Sequence, residues 1–473
     1  MKCKFPTFLL LLVLALSACA HYPRNATLSS FDRSAGYRFN NLGPLPNNSD
    51  DLFVILTFSG GGKRAMAMSY GVMEKLKETR ISWHGIERSL LDEVDIISSV
   101  SGGSITAAYY GLYGDRLFQD FSEKVLYREI KAGLLNEVFS PRGWFRIFSS
   151  DFSRTDLTDE YYDRKFFHGA TYGDMRKARP FILINATDMM QGSRFEFSQD
   201  QFDLLCGDLS QLHVSRAVTA STAFPVIFAP MRLDNHAGQC GYQPPEWLIR
   251  DHEEKDMSNG MYDQSRMLMT YLDSQRRPFI KLVDGGVSDT IALRGPLYAL
   301  IRADGLWSLQ DMVKRGAMKK LLVIIVNAKA EPADTYESVL SGIGLAQSVN
   351  WLTSSVLQNY SSDTTERLTD LFSQWKEAET AYAQRRAHCE RNERGRAEQC
   401  VGEIYPEGPP PYPQTFLVHL RFDSLQDDGE REFFNSTGTS LALPLESVDR
   451  VRVTARKLLD DSPQFQDFLH SLQ

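Results

Sequence analysis

Ser101 stands in the run Ser99-Val100-Ser101-Gly102-Gly103, between the β-branched stretch VDIISSV and a string of small and aromatic residues, ITAAYYGLYG. Glycine loses more freedom on folding than any other residue and packs nothing. Paired glycines beside a serine therefore mark a place where the backbone bends tightly or is closely approached. A strand turning sharply into a helix presents a serine hydroxyl at the helix N-terminus, and such an elbow needs small residues two before and two after the serine. Gly103 fills the later position; Ser99, small but not glycine, fills the earlier one. The chemistry on offer is nucleophilic attack by the Ser101 hydroxyl.

Two further stretches bear on that chemistry. Ser59-Gly60-Gly61-Gly62-Lys63-Arg64 follows the apolar run LFVILTF and precedes a helical pattern. Consecutive glycines there can turn several backbone N–H groups toward one point, a nest for an anion or for a developing oxyanion, where each donor is worth about 3 kcal/mol. A dinucleotide loop is the competing reading, because Gly60, Gly62 and Ala65 fit G-x-G-x-x-A, but the second strand ends in serines and glycines instead of the acidic residue that fold requires. A phosphate-binding P-loop fails sooner, with Arg64 after Gly62-Lys63 and Thr57 at the leading glycine position. The second stretch is Val283-Asp284-Gly285-Gly286 at the end of a strand pattern. Its plain structural role is an Asp-capped turn; its chemical role is a base, since partial burial raises a carboxylate pKa enough for direct proton transfer from a serine. His84, His168, His213 and His419 each remain open as the middle member of a Ser-His-Asp triad.

Elements must bring these positions together. LFVILTF (52–58), VDIISSV (94–100), PFILINA (180–186), FIKLVDGG (279–286), KLLVIIVNA (320–328) and TFLVHLRF (415–422) are strand candidates, and their continuous apolar character predicts a sheet buried on both faces. Helical patterns between them predict an α/β class fold, a three-layer α/β/α sandwich with a mainly parallel central sheet. A single catalytic domain is expected over residues 51–473, with surface insertions near 236–278 and 364–413, the latter a charged helix whose turn is stapled. Leu134, Leu135, Val138, Phe139, Trp144, Phe145 and Phe148 recur at helical spacing and read as core, with a substrate lid as the alternative.

With these parts in order, the sequence resembles the patatin-like phospholipases. FSPRGWFRIFSSDFSRTDL, GATYGDM, INATDMMQGSRFEFS, AVTASTAFPVIFAPM and DGGVSDTIALR resemble family segments over roughly Leu52 to Arg294, and GTSLALPLESVDRVRVTARKLL resembles the closing segment of many bacterial members. The resemblance implies lipid acyl-ester hydrolysis of phospholipase A or lysophospholipase type, through a Ser/Asp dyad and an acyl-enzyme. Ser101 would be the nucleophile, Asp284 its base, and the N–H groups of Gly61 and Gly62 the oxyanion hole, with no metal or other cofactor. Ser99 replaces the family's first elbow glycine and Ala65 the glycine after its basic residue, which maps to Arg64. The alternative is a catalytically weak lipoprotein that binds or senses lipid.

The remaining expectations concern the envelope. MKCKFPTFLLLLVLALSAC has a lysine-bearing start and a nine-residue apolar run, Phe8 to Leu16, too short to span a bilayer, so residues 1–18 read as a signal peptide. Leu16-Ser17-Ala18-Cys19 resembles the bacterial lipoprotein box, which implies acylation of Cys19 as a membrane anchor; Ala20 after it implies the outer membrane of a Gram-negative cell. Residues 19–50, polar and turn-rich, are expected to be a flexible tether. Loss of Lys2 and Lys4 with the signal takes the formal net charge from −8 to −10, which argues against nucleic acid as a partner. Cys206, Cys240, Cys389 and Cys400 are even in number in an exported chain; pairing Cys206 with Cys240 and Cys389 with Cys400 closes the shortest loops.

Overall fold

The computed structural model describes residues 22, 24–147, 152–225, 227–257, 260–329, 345–392, 395–438 and 440–473. The signal-peptide positions and Cys19 lie outside the described residues.

All six strand candidates form strands. β1 (Leu52–Phe58), β4 (Val94–Val100), β5 (Phe181–Asp188), β8 (Phe279–Asp284), β9 (Lys320–Val326) and β10 (Gln414–Leu420) share one sheet, in the order β10-β9-β1-β4-β5-β8 and then β7 (Met231–Asp234). β6 (Ser193–Glu196) also pairs with β5, and β2 (Arg80–Trp83) with β3 (Ile86–Ser89) forms a separate hairpin. β10, β9, β1, β4 and β5 are parallel; β8 runs antiparallel to β5, and β7 to β8. Helices cover the sheet, giving the mostly parallel three-layer α/β/α architecture. β1, β4 and β5 are buried at every position, which is why their sequences are continuous apolar runs.

At its N-terminal end β4 is pinned by Asp95. The ladder skips this residue, Val54 facing Val94 and Ile55 facing Ile96, and the Asp95 carboxylate accepts the Val54 N–H at 2.8 Å instead, with Arg179 at 3.0 Å. At its C-terminal end β4 feeds α2 (Gly102–Tyr113), as β1 feeds α1 (Gly62–Glu78). Two parallel neighbours that each turn into a helix set both turns side by side, at the strand ends where open α/β sheets hold their sites. The site also draws on α3 (Val214–Thr222), and later sections on α4 (Leu345–Asn392) and α5 (Leu445–Asp460).

Of the segment expected to be a tether, residues 22 and 24–50 lie on the domain, where their few aromatic and charged side chains find fixed partners. The Tyr22 hydroxyl donates to Asp234 on edge strand β7, Asn25 Nδ2 donates to the Asp234 carbonyl at 3.0 Å, and buried Arg38 pairs with Asp200 and Asp203 at 2.8 and 2.7 Å. Tyr37, Phe39 and Leu42 join the main core.

Cys206 is bonded to Cys240 and Cys389 to Cys400, with Cα separations of 5.4 and 5.8 Å. The first bond stands at the base of region 236–278, which carries helices Glu246–Glu254 and Met261–Met269; the second joins the end of α4 to helix Ala397–Ile404. α4 docks through buried Thr364, Leu368, Phe372 and Trp375, a single helical stripe, and Trp375 stacks on Tyr412 of the proline-rich connection.

Candidate active site

Sheet register alone predicts proximity of the serine and the aspartate. Val100 faces Asn185 across β4 and β5, and Ala186 faces Asp284 across β5 and β8, so the residue after Val100 stands over the Asp284 end of β8. There Ser101 Oγ donates to Asp284 Oδ2 at 2.8 Å, bridging 183 positions of sequence.

Ser101 adopts φ 51° and ψ −124°, a left-handed backbone that a non-glycine residue holds only where its surroundings impose it. Those surroundings are specific. The Ser101 N–H donates to Ser221 Oγ at 2.8 Å, and Ser221, on α3, donates in turn to the Asn185 carbonyl at 2.6 Å. Asn185 Nδ2 reaches back to the Ser98 hydroxyl and the Ser99 carbonyl at 3.0 and 3.1 Å. The following glycines are demanded by contact. A Cβ on Gly102 would lie 2.0 Å from the Gly62 carbonyl oxygen, and one on Gly103 would lie 2.7 Å from the Phe58 Cβ. Ser99 meets no such obstacle, for its buried hydroxyl donates to the Leu183 carbonyl at 3.3 Å. The elbow therefore accommodates serine at its first small position and excludes it at its second.

Asp284 is 6% exposed. Burial pushes its carboxyl up to about 6, opposed by hydrogen bonds from the Gly286 N–H and the Ser101 hydroxyl. Oδ1 accepts that Gly286 N–H at 2.8 Å, which fixes the carboxylate plane and leaves Oδ2 facing the serine. Gly285 permits this turn, since a Cβ there would lie 2.3 Å from the Asn185 carbonyl oxygen. None of the four histidines supplies a hydrogen bond to Ser101 or Asp284. His84 pairs with Asp51 at 2.8 Å, His213 lies 3.6 Å from Asp163, His168 caps a helix in left-handed conformation, and half-buried His419, pushed down to about 4 chiefly by desolvation, contacts Asn327.

The glycine loop passes against the elbow, a Cβ on Gly60 lying 3.4 Å from the Ser101 Cβ. The neighbouring amides are occupied: Ser59 donates to Val326, Gly60 to Thr290 and Lys63 to Ser440, at 3.1, 3.0 and 2.9 Å. Among the described residues, the N–H groups of Gly61 and Gly62 have no acceptor. Gly61 and Gly62 hold φ 139° and 59°, conformations that favour glycine. Lys63 and Arg64 point away from this opening. The Lys63 ammonium donates to the Arg128 carbonyl at 3.2 Å, and Arg64 Nε donates to the Ala328 carbonyl at 2.6 Å. Two unclaimed amides beside a serine hydrogen-bonded to a buried carboxylate can accept and stabilise a tetrahedral oxyanion. Among the described residues, no group of three or more His, Cys, Asp or Glu side chains is arranged to hold a metal ion.

The stretch read as core or lid divides. Leu134 packs in the main core and Val138 beside a satellite cluster of Phe152 and Leu157, while Leu135, Phe139 and Trp144 are 46, 69 and 49% exposed. The Phe145 side chain and Phe148 lie outside the described residues. Sequence reading passed over Ser221 and Asn185 as parts of the site. Each sat in a quoted segment, yet a buried hydroxyl or amide carries no mark of its tertiary partner.

The family model for patatin-like phospholipases matches residues 56–297, more than half of the chain and a span containing Gly60–Gly62, Ser101, Ser221 and Asp284. No curated protein matches the chain. Among solved structures, human GIVD cytosolic phospholipase A2 is similar at 15% identity with a TM-score of 0.35, over 59% of this chain and 46% of that one, so the chain matches less than half of its length. VipD from Legionella pneumophila is similar at 13% identity with a TM-score of 0.30, over 95% of this chain and 70% of that one.

Proposed function

Because the chain belongs to the patatin-like phospholipase family, we propose that it hydrolyses lipid acyl esters, in the manner of a phospholipase A or lysophospholipase, with Ser101 as nucleophile and Asp284 as base. The observation that carries this reading is the 2.8 Å bond from Ser101 Oγ to Asp284 Oδ2 beside the unclaimed amides of Gly61 and Gly62. Asp284 takes the hydroxyl proton as Ser101 Oγ attacks the ester carbonyl, and the carbonyl oxygen, now an anion, settles on the Gly61 and Gly62 N–H groups. Collapse expels the alcohol, which leaves with the proton held by Asp284, and an acyl-Ser101 ester remains. Water, deprotonated by Asp284, attacks that ester; the tetrahedral adduct releases the fatty acid and returns the proton to Ser101. The direct hydrogen bond makes a histidine relay unnecessary.

The first test is labelling by a fluorophosphonate, which needs an activated serine, followed by turnover of a phospholipid or chromogenic acyl ester. Labelling lost in Ser101→Ala, and turnover lost in both Ser101→Ala and Asp284→Asn, is the expected result. A lipid-binding protein without catalysis would give neither labelling nor turnover. We further propose that acylation of Cys19 anchors the chain at the outer membrane, on the strength of the N-terminal sequence; incorporation of labelled palmitate that survives in Cys19→Ser would remove the anchor.

A further inference from the structure

The amides proposed as the oxyanion hole are held in place partly by a stretch of chain far outside the family-matched span. Thr437, Gly438 and residues 440–443 lie between helix Asp428–Ser436 and α5, with Ser440 bridged to Gly62 at the mouth of α1. The Ser440 carbonyl accepts the Lys63 N–H at 2.9 Å, and the approach is so close that a Cβ on Gly62 would lie 2.5 Å from the Ser440 oxygen. Arg64 ties the same stretch down: its Nη1 donates to the Thr437 carbonyl while its Nε donates to the Ala328 carbonyl. The guanidinium is almost fully buried, and burial pushes its pKa down to about 10. Arg64 thus spans the ends of two separate segments, β9 and the C-terminal crossing.

The crossing is itself immobilised. α5 lies along α1, where Gly71 lets the backbones touch, since a Cβ there would lie 2.3 Å from the Arg452 carbonyl oxygen. Arg452 pairs with Glu74 at 2.5 Å, Arg456 with Glu78 at 2.6 Å and Lys75 with Asp460 at 2.7 Å, over buried Val448, Val451, Ala455 and Leu459. Without the Ser440 carbonyl, the Lys63 amide would join the two before it as an open donor, and the loop would lose the contact that fixes the turn at Gly62.

We propose that the Thr437 and Ser440 carbonyls act as a strap that sets the direction of the Gly61 and Gly62 amides, and that Arg64 is a positioning residue acting through the Thr437 and Ala328 carbonyls. The inference rests on the hydrolase reading for its kinetic consequence, though not for its structural one. Arg64→Met removes the tie, and insertion of two glycines after Gly438 slackens the strap while leaving α5 its own contacts. Misplacing catalytic groups by about 1 Å costs about a hundredfold in rate, so each variant should lose ten- to a hundredfold in kcat with little change in KM. Each should also lose affinity for a trifluoromethyl ketone, whose hemiketal adduct with Ser101 mimics the oxyanion, by a matching factor. Amide hydrogen exchange reads the structural arm directly: the Lys63 N–H should exchange at least tenfold faster in the insertion variant, with α5 protection unchanged. A wild-type protein that turns over no ester would refute the hydrolase reading yet leave the exchange experiment decisive for the strap. If Arg64→Met does not fold, the insertion variant decides alone. A folded insertion variant with wild-type Lys63 exchange overturns the strap, whatever its activity.

Discussion

The two strand-to-helix turns that make the site are built by different means. The elbow at Ser101 is secured within the family-matched span, by Ser221, Asn185 and the β4–β5–β8 register. The loop at Gly60–Gly62 has one support within that span, Thr290, and draws the rest from beyond it: Val326, Ala328 and Ser440. Backbone strain sits in the first, at a serine with positive φ; in the second the equivalent conformations are taken by glycine at little steric cost. A nucleophile must be held against its own preference. An oxyanion hole needs donors left without acceptors, which a loop achieves when its neighbours take up every other partner.

The sharpest break of this contrast is removal of the reacting pair. Ser101→Ala and Asp284→Asn should each lower kcat by about ten-thousandfold or more, as loss of a nucleophile or base does elsewhere, measured on any ester the wild type cleaves. Asp284→Asn should at the same time stabilise the fold. Because burial raises the folded carboxyl pKa from 3.8 to about 6, the stability tied to its protonated form is lost as pH rises through that range. The substitution should therefore gain up to about 3 kcal/mol at pH 8 in urea unfolding, with the gain shrinking as pH falls toward 4.

Gly102→Ala tests where the turns touch, since the new methyl would meet the Gly62 carbonyl at 2.0 Å. It should cost about 1–3 kcal/mol of stability through forced backbone shifts and impair both corners at once. Ser221→Ala separates them. It removes the acceptor of the Ser101 N–H and should cost about 1–3 kcal/mol, with fluorophosphonate labelling slowed while Lys63 amide exchange stays at the wild-type rate. Acidity offers a gentler probe: kcat/KM should rise with pH through about 6 and level off above it, because Asp284 must be ionised to accept the proton. The smallest effect belongs to Ser99→Gly, which restores the family's residue; activity should change by less than about threefold, given a backbone that already tolerates serine there, and the lost bond to Leu183 should cost about 1 kcal/mol.

Much of this was legible in the sequence wherever burial on both faces leaves a continuous apolar run, as in LFVILTF or KLLVIIV. The edge strands MRLD and SRFE were not, because four residues of mixed polarity carry no period to read. The Ser101 and Asp284 positions were marked by their glycines, of which Gly102, Gly103 and Gly285 answer to a backbone atom less than 3 Å from a would-be Cβ. Ser440 carried no mark, for its contribution is a carbonyl oxygen that every residue possesses. The contacts of residues 22 and 24–50 were not legible for the opposite reason: the average polarity is that of a linker, while the attachment rests on a few individual side chains, Tyr22, Arg38 and Phe39, that an average hides.

That attachment bears on how the molecule would meet a bilayer. Tyr22 is fastened to Asp234 on edge strand β7, three positions along the chain from Cys19, the residue proposed above to carry the anchor. Three residues reach at most about 11 Å, comparable to the depth of a headgroup layer. With such an anchor the protein would not roam at the end of a leash; its standoff would be limited to that span, with the edge carrying β7 toward the lipid.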